Sequence, residues 1–514
     1  MTIAAAAPVQ KSFDGTWFGG FEVDGKWHPA YARFKTEKES IKIEMSTLFR
    51  RINAEASVQV QDTIIRFKLT SQSGAFSFIG QVKDEVISGE VKYNGKSGPF
   101  ALHRTRDPST FNPLMGFYQA GDNSFLYIQR WGELGNNLMS IDESARIRAL
   151  FPTAELSFLS GPSLLKPLPV ESSIEFIKNA AGEVMGLRRF RKNQPVERLQ
   201  KIAIYDREDV TFPNGEIILS GSLLLPRTKG PYPVMVITHG SNAQDRYSGL
   251  LFNATLLRQG VALFVYDKRG VGQSGGNWLE ASFADLAEDA IAAVNFLKKH
   301  KKINPGKIGI LGLSQGGWIA PLAASRCSDI AFVVAISAAA VSPVQQELTR
   351  TEYEMRTDGY PDEEIQESLK LYKLMNHYTR TGQGWDEYIA ARQKAKSKKW
   401  GPTGEWTKDQ PYFRFWKLIM DYDPVPVLHK ITLPILVIYG GLDQNVRADI
   451  NQPIMEKALQ ESGSKDHKVL VYPKGNHIMM EASTGSNLEF PFLKRFVPGY
   501  YETVADWILK HVSG

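Results

Sequence analysis

The chain has 514 residues, 43% of them hydrophobic and 23% charged, with a formal net charge of +6. At roughly 150 residues per domain this length implies about three domains, and the composition is that of a soluble globular chain with a large core. No apolar run approaches the roughly 18 residues of a membrane-spanning helix, so no integral membrane segment is expected. The basic residues sit in no nucleic-acid motif, so no nucleic-acid partner is inferred.

The lone cysteine, Cys327, rules out an intramolecular disulfide and a cysteine metal cluster. It follows the apolar stretch Ile319 to Ala324 and reads as a small core residue. The alanine-rich start, Met1 to Gln10, lacks the basic and long apolar regions of an intact signal peptide. It reads as the start of an exported chain, periplasmic or secreted, with a cytoplasmic protein's tail as the alternative.

Residues 12–195 read as β structure. Ile41, Ile43 and Met45 alternate with Lys42 and Glu44, and Ile65, Phe67 and Leu69 alternate with Arg66 and Lys68. Such period-two patterns give a strand one buried and one wet face. Pro108 and Pro113 mark a connector, dividing a barrel- or sandwich-like unit over 12–105 from a second β-rich unit over 106–195. No blade-length repeat signals a propeller.

After about residue 200 the pattern changes. Val234 to Ile237, Val261 to Val265, Ile308 to Leu311, Phe332 to Ile336, Ile435 to Ile438 and Val469 to Val471 are continuous apolar runs between helical stretches. They predict a mostly parallel sheet covered by helices on both faces. Ser282 and Asp285 have the spacing of a helix-capping pair. Residues 341–430 interrupt the series as a helical insertion, placed to act as a cap or lid, between core segments 196–340 and 431–514. Trp385, Trp400, Trp406 and Trp416 lie in this insertion, where they either contact substrate or pack its own core.

Gly312-Leu313-Ser314-Gln315-Gly316 follows one of the buried strands and precedes an apolar helical run. A serine in this context sits on a tight strand-to-helix turn with its hydroxyl clear of the sheet. That hydroxyl needs a base to take its proton. Among nine histidines, His477 alone follows the last strand. A carboxylate must hold the histidine's tautomer. Asp443, in the loop after Ile435 to Ile438, is placed to do so, whereas Asp423 precedes that strand and falls at the wrong edge. Backbone amides must meet the negative charge of a tetrahedral intermediate. Those of Gln315, next to the nucleophile, and Ser241, in His239-Gly240-Ser241, are the candidates. His239 belongs to this oxyanion loop and is not the base.

Several of these motifs resemble one family. His239-Gly240-Ser241 with Gln244-Asp245-Arg246, Tyr266-Asp267-Lys268-Arg269-Gly270-Val271-Gly272-Gln273-Ser274-Gly275, the Ser314 elbow and Asp421-Tyr422-Asp423-Pro424 are similar to those of bacterial EstD-type serine esterases. These are α/β-hydrolases related to dienelactone hydrolases and acyl-CoA thioesterases. The resemblance covers about residues 200–514. It implies an α/β-hydrolase fold, a Ser314–Asp443–His477 triad, no metal or organic cofactor, and hydrolysis of a small-molecule or polymeric carboxylic ester. Asp267 and Arg269 are expected to tie the fourth strand's loop to its neighbours. A serine peptidase or thioesterase with the same triad, and a catalytically silent binding protein, are the alternatives. The N-terminal β region is assigned entrance shaping, polymer binding or self-association into a homo-oligomer.

Overall fold

The computed structural model describes residues 13–513 except 38–39, 49–52, 72–73, 122–123, 249–252 and 403. Met1 to Gln10, on which the export expectation rests, lies outside the described residues. Eight antiparallel strands, from Gly15–Val23 to Lys96–Arg104, form a closed barrel, the first pairing with the last from Trp17↔Arg104 to Phe21↔Phe100. The predicted alternation places Ile43, Met45, Ile65, Phe67 and Leu69 inside, while Glu44, Arg66 and Lys68 face water. Trp17, Phe21, Phe34, Phe67, Phe78 and Phe100 pack together in the barrel interior.

A nine-stranded antiparallel sheet follows, from Gly116–Gln119 to Glu197–Ile202. Its last strand pairs with its first through Gln200↔Gln119, so the boundary expected at residue 195 is corrected to after Ile202. The strand Glu197–Ile202, beyond that boundary, completes this sheet. Neither face of the strand Phe125–Trp131 is wet. Leu126 and Ile128 point into a core with Tyr118, Phe158 and Phe176. Tyr127 and Trp131 point the other way, into a core shared with the third unit.

That third unit is an eight-stranded sheet, whose strands we number β1 (Tyr205–Asn214), β2 (Ile217–Pro226), β3 (Tyr232–Thr238), β4 (Ala262–Tyr266), β5 (Ile303–Leu313), β6 (Phe332–Ile336), β7 (Ile435–Gly440) and β8 (His467–Tyr472). Their spatial order is β1-β2-β4-β3-β5-β6-β7-β8, with β1 and β2 antiparallel and β3 to β8 mutually parallel. The helices α1 (Asn253–Arg258), α2 (Phe283–Leu297) and α3 (Gly316–Ala324) connect the early strands. Ser282 and Asp285 cap α2 reciprocally, by Asp285 N–H to Ser282 Oγ at 3.2 Å and Ser282 N–H to Asp285 Oδ2 at 2.8 Å.

Between β6 and β7 stand α4 (Pro343–Thr357), α5 (Asp362–Thr381), α6 (Trp385–Ala395), α7 (Pro411–Ile419) and α8 (Val425–Leu428). Two helices, α9 (Ala448–Gln460) and α10 (Tyr500–Val512), follow β7 and β8. Alternate side chains of each parallel strand serve opposite layers. Val234, Val236, Ile308, Ile310, Val333 and Val437 pack on α2, α3 and α9. Met235, Ile237, Leu311, Val334 and Ile438 pack on α1, α10 and the nine-stranded sheet. The N-terminal β region therefore supplies part of one covering layer of the parallel sheet. Among the described residues, no helix is long and apolar enough to cross a membrane.

Candidate active site

Ser314 stands where β5 turns into α3. Its φ is +59°, a left-handed conformation that costs a non-glycine residue of order 1–3 kcal/mol. The turn is held by Ser314 N–H to the Ile336 carbonyl at 2.9 Å and Gly317 N–H to the Ser314 carbonyl at 2.8 Å. Glycine is required on both sides of it. A Cβ at Gly312 would lie 2.0 Å from the Gly316 carbonyl oxygen, and one at Gly316 would lie 2.8 Å from Thr238 Oγ1. The strained turn lifts the serine off the end of the sheet.

Asp443 follows β7, in the loop Gly441 to Val446. Its side chain is wholly shielded from solvent, an environment that demands hydrogen-bond partners for a carboxylate. It has three: the backbone amides of Asn445 and Val446, each 2.8 Å from Oδ1, and His477 Nδ1, 2.9 Å from Oδ2. His477 follows β8 in a turn built by Asn476, whose Oδ1 accepts from the amides of Ile478 and Met480 at 3.1 and 2.9 Å. The strand end beside Ser314 anchors this turn. Ile336 receives the Ser314 amide, and the next residue, Ser337, donates its hydroxyl to the His477 carbonyl at 2.8 Å. Three loops distant in sequence thus converge at the carboxyl ends of β5, β6, β7 and β8. With Nδ1 facing Asp443, Nε2 lies on the far side of the His477 ring.

Ser241 and Ser314 line one pocket, of about 250 Å³. Among the described residues, the hydrogen-bond network assigns no chain acceptor to the Ser241 or Gln315 amide. The loop carrying Ser241 is internally held: Gly240 N–H donates to Gln244 Oε1 at 2.6 Å. His239, 8% exposed, has Nε2 2.6 Å from the Tyr266 carbonyl. Burial, followed by the nearby Lys268 charge, pushes the His239 imidazole down to about 3. A neutral ring with its proton on Nε2 donates to that carbonyl. Asp423 accepts from the Val425 amide at 3.0 Å at the start of α8, while the carboxylate on His477 is that of Asp443.

The far wall of the pocket is polar. Glu347, Arg350 and Glu354 of α4 line it, with Arg350 bonded to Glu347 Oε2 at 2.6 Å and to Glu354 Oε2 at 2.8 Å. Asn445 and Asn487 lie nearby, and only the spacing of the three α4 residues along one helix is visible in the sequence, where nothing ties it to Ser314. The insertion's four tryptophans are not on that wall. Trp385 and Trp406 pack edge-on against Phe413, Trp416 donates to Asn376 Oδ1 at 2.8 Å, and Trp400 packs on the cluster of Met355, Ile365 and Leu369. They build the insertion's own core, and the tryptophan that reaches the pocket is Trp318 of α3.

Two buried ion pairs hold the surrounding loops. Asp267 takes the Arg246 guanidinium at 2.7 Å, and Asp289 of α2 takes Arg269 through both oxygens at 2.7 Å. Removing one member of such a pair leaves an uncompensated buried charge, at about 3–5 kcal/mol. Asp289→Ala is accordingly expected to lower the urea unfolding midpoint by that much stability, and a change below about 1 kcal/mol would contradict it. Among the described residues, no group of three histidine, cysteine, aspartate or glutamate side chains could hold a metal.

Residues 229–483 match the family described as serine aminopeptidase, S33. Esterase EstD of Thermotoga maritima is 25% identical over 315 residues, which cover 60% of this chain and 68% of that protein. The quorum-quenching protein AidA of Acinetobacter baumannii is 28% identical over 127 residues, covering 24% of this chain and 42% of that one. The structure of Est1E from Butyrivibrio proteoclasticus with ferulic acid covers 59% of this chain and 100% of its own, at 21% identity and a TM-score of 0.38. The parallel sheet, the S33 match and the similarity to EstD support an α/β-hydrolase fold similar to that of EstD-type esterases, and an enzyme with hydrolase activity.

Proposed function

We propose that the enzyme hydrolyses carboxylic esters through an acyl-enzyme on Ser314. Ser314 Oγ attacks the acyl carbon while His477 takes its proton and, as an imidazolium, is stabilised by Asp443. The amides of Ser241 and Gln315 receive the negative charge that develops on the carbonyl oxygen. Collapse of the tetrahedral intermediate returns the proton to the departing alcohol. A water molecule, activated by His477, then releases the acid. The observation that carries this reading is the 2.9 Å His477–Asp443 bond in a turn pinned to the strand end that also holds Ser314.

The helical insertion acts as the lid of this site, since α4 supplies the pocket's far wall. Its two glutamates favour a second reading, a peptidase that binds a substrate ammonium group. Both carboxylates already share Arg350, which occupies them and reduces their charge to one, so the ester reading rests on the similarity to EstD. Short p-nitrophenyl esters assayed beside aminoacyl-p-nitroanilides separate the two. Ester turnover with fluorophosphonate labelling of the Ser314 peptide is expected. Anilide turnover without ester turnover would establish the peptidase, and absence of labelling would remove Ser314 as nucleophile.

A further inference from the structure

We propose that Lys268 is a positioning residue that sets the geometry and donor strength of the oxyanion site from behind. It lies in the loop after β4, at the base of the pocket loops, and is only 1% exposed. A lysine ammonium has three protons to donate, and each has an acceptor. Nζ stands 3.0 Å from the Gly240 carbonyl, 3.1 Å from the Asn242 carbonyl and 2.8 Å from Gln315 Oε1. One cation therefore ties together the two loops whose amides flank Ser314.

The identity of the first acceptor matters most. The Gly240 carbonyl and the Ser241 N–H belong to one peptide unit. In a trans peptide these groups point to opposite sides of the C–N bond. Holding the carbonyl oxygen on Lys268 thus turns the Ser241 N–H away from Lys268, towards the pocket that Ser241 lines. A cation on the carbonyl also draws electron density from the amide and strengthens its N–H as a donor, as in any hydrogen-bond chain. The Asn242 carbonyl fixes the other end of the same loop, where Asn242 has a φ of +67°. The third bond holds the side chain of Gln315, the residue whose backbone amide is the second donor.

Keeping a cation here has a physical cost. Burial pulls the Lys268 ammonium down to about 7, against the charge of Asp289 on α2, which raises it. An apolar side chain packed against Trp278, whose ring centre lies 5.3 Å from Nζ, would fill the space without that cost. What it could not do is hold two backbone carbonyls and a side-chain amide at once.

The inference rests on the reading of Ser241 and Gln315 as oxyanion donors, and the test separates the two. Wild type, Lys268→Met, Lys268→Gln and Gln315→Leu are compared for ester kinetics, for inhibition by a boronic acid, whose tetrahedral adduct on Ser314 places an oxygen between the donors, and for melting temperature. Lys268→Met is expected to lose about 100-fold in kcat, as for removal of one oxyanion donor, with KM within threefold and boronate affinity falling in parallel. Lys268→Gln, uncharged but still a donor, is expected to fall between. Gln315→Leu, which frees one of the three bonds, is expected to lose less. A folded Lys268→Met with kcat within twofold of wild type overturns the proposal. If that variant does not fold, unchanged kcat in both Lys268→Gln and Gln315→Leu overturns it. An inactive, unlabelled wild type instead defeats the underlying assignment of Ser314.

Discussion

Ser314→Ala is expected to reduce kcat on a short ester by about a millionfold while leaving the protein folded. A nucleophile, its base and the base's carboxylate act as one unit, and loss of the nucleophile costs about 10⁶. With Ser314 gone, His477 has no proton to move, so Ser314→Ala with His477→Ala should be no slower than either alone. Asp443→Asn is expected to be milder, at about ten-thousandfold, because the histidine survives in the wrong tautomer. Asp443 Oδ2 now accepts from Nδ1, and Oδ1 is occupied by two backbone amides. An asparagine can keep those amides only by turning its NH₂ towards His477, where a donor meets a donor. The residual rate in every variant comes from binding and the oxyanion amides. Single-turnover assays with a fluorogenic ester check these values. More than about a hundredth of wild-type activity in Ser314→Ala, far above the 10⁻⁶ expected, would move the nucleophile elsewhere.

Removal of residues 1–202 is expected to abolish soluble, active enzyme. Tyr127, Trp131, Met139, Ile141, Phe151 and Leu164 form one core with strands β3, β5 and β7 and with α10. Stripping them exposes a contiguous apolar face, which marks an aggregation surface. The loss also reaches the loops of the candidate site. Met479 and Met480, two and three residues after His477, are fully buried in this shared core. The segment beyond them is stitched to the nine-stranded sheet by Leu164 N–H to the Leu493 carbonyl at 2.8 Å and Ile147 N–H to the Lys494 carbonyl at 3.0 Å. On the other side of the pocket, the Arg130 guanidinium stacks 3.9 Å above Tyr247, in the chain just after the oxyanion loop. Soluble yield, circular dichroism and fluorophosphonate labelling of a 203–514 chain provide the check. Trp131→Ala in the full chain is the graded version, with an expected loss of about 3–5 kcal/mol. A soluble 203–514 chain hydrolysing esters at the full-length rate would show that the β region is a dispensable attachment.

The parts of this protein that were legible in its sequence share one property: they depend on neighbours along the chain. Alternation in Ile43, Met45, Ile65 and Phe67 marks barrel strands because a strand's two faces are set by period two. The Ser282–Asp285 cap, the strand-to-helix position of Ser314 and the loop positions of Asp443 and His477 are likewise local facts, and chain order alone assembles them into a candidate site. Other features have no local signature. The strand Glu197–Ile202 belongs to the second sheet only because Gln200 finds Gln119. The tryptophans of the insertion stand out by residue type, yet their neighbours turn them inward. Lys268 lay in view inside Tyr266-Asp267-Lys268-Arg269, but its three acceptors come from two other loops. Glu347, Arg350 and Glu354 share a helix face by spacing, whereas the pocket they line is made by folding.

The sequence by itself therefore determined the candidate site: a serine, a histidine, a carboxylate and a pair of amides proposed at strand ends, because each is specified by the strand it follows. Only the tertiary structure decided what holds and surrounds that chemistry. The polar wall on α4, the Lys268 clamp and the burial of the His477 turn beneath the N-terminal sheet are contacts between residues far apart in the chain. Close packing and the satisfaction of buried polar groups select such contacts, and no pattern along one strand or helix encodes them.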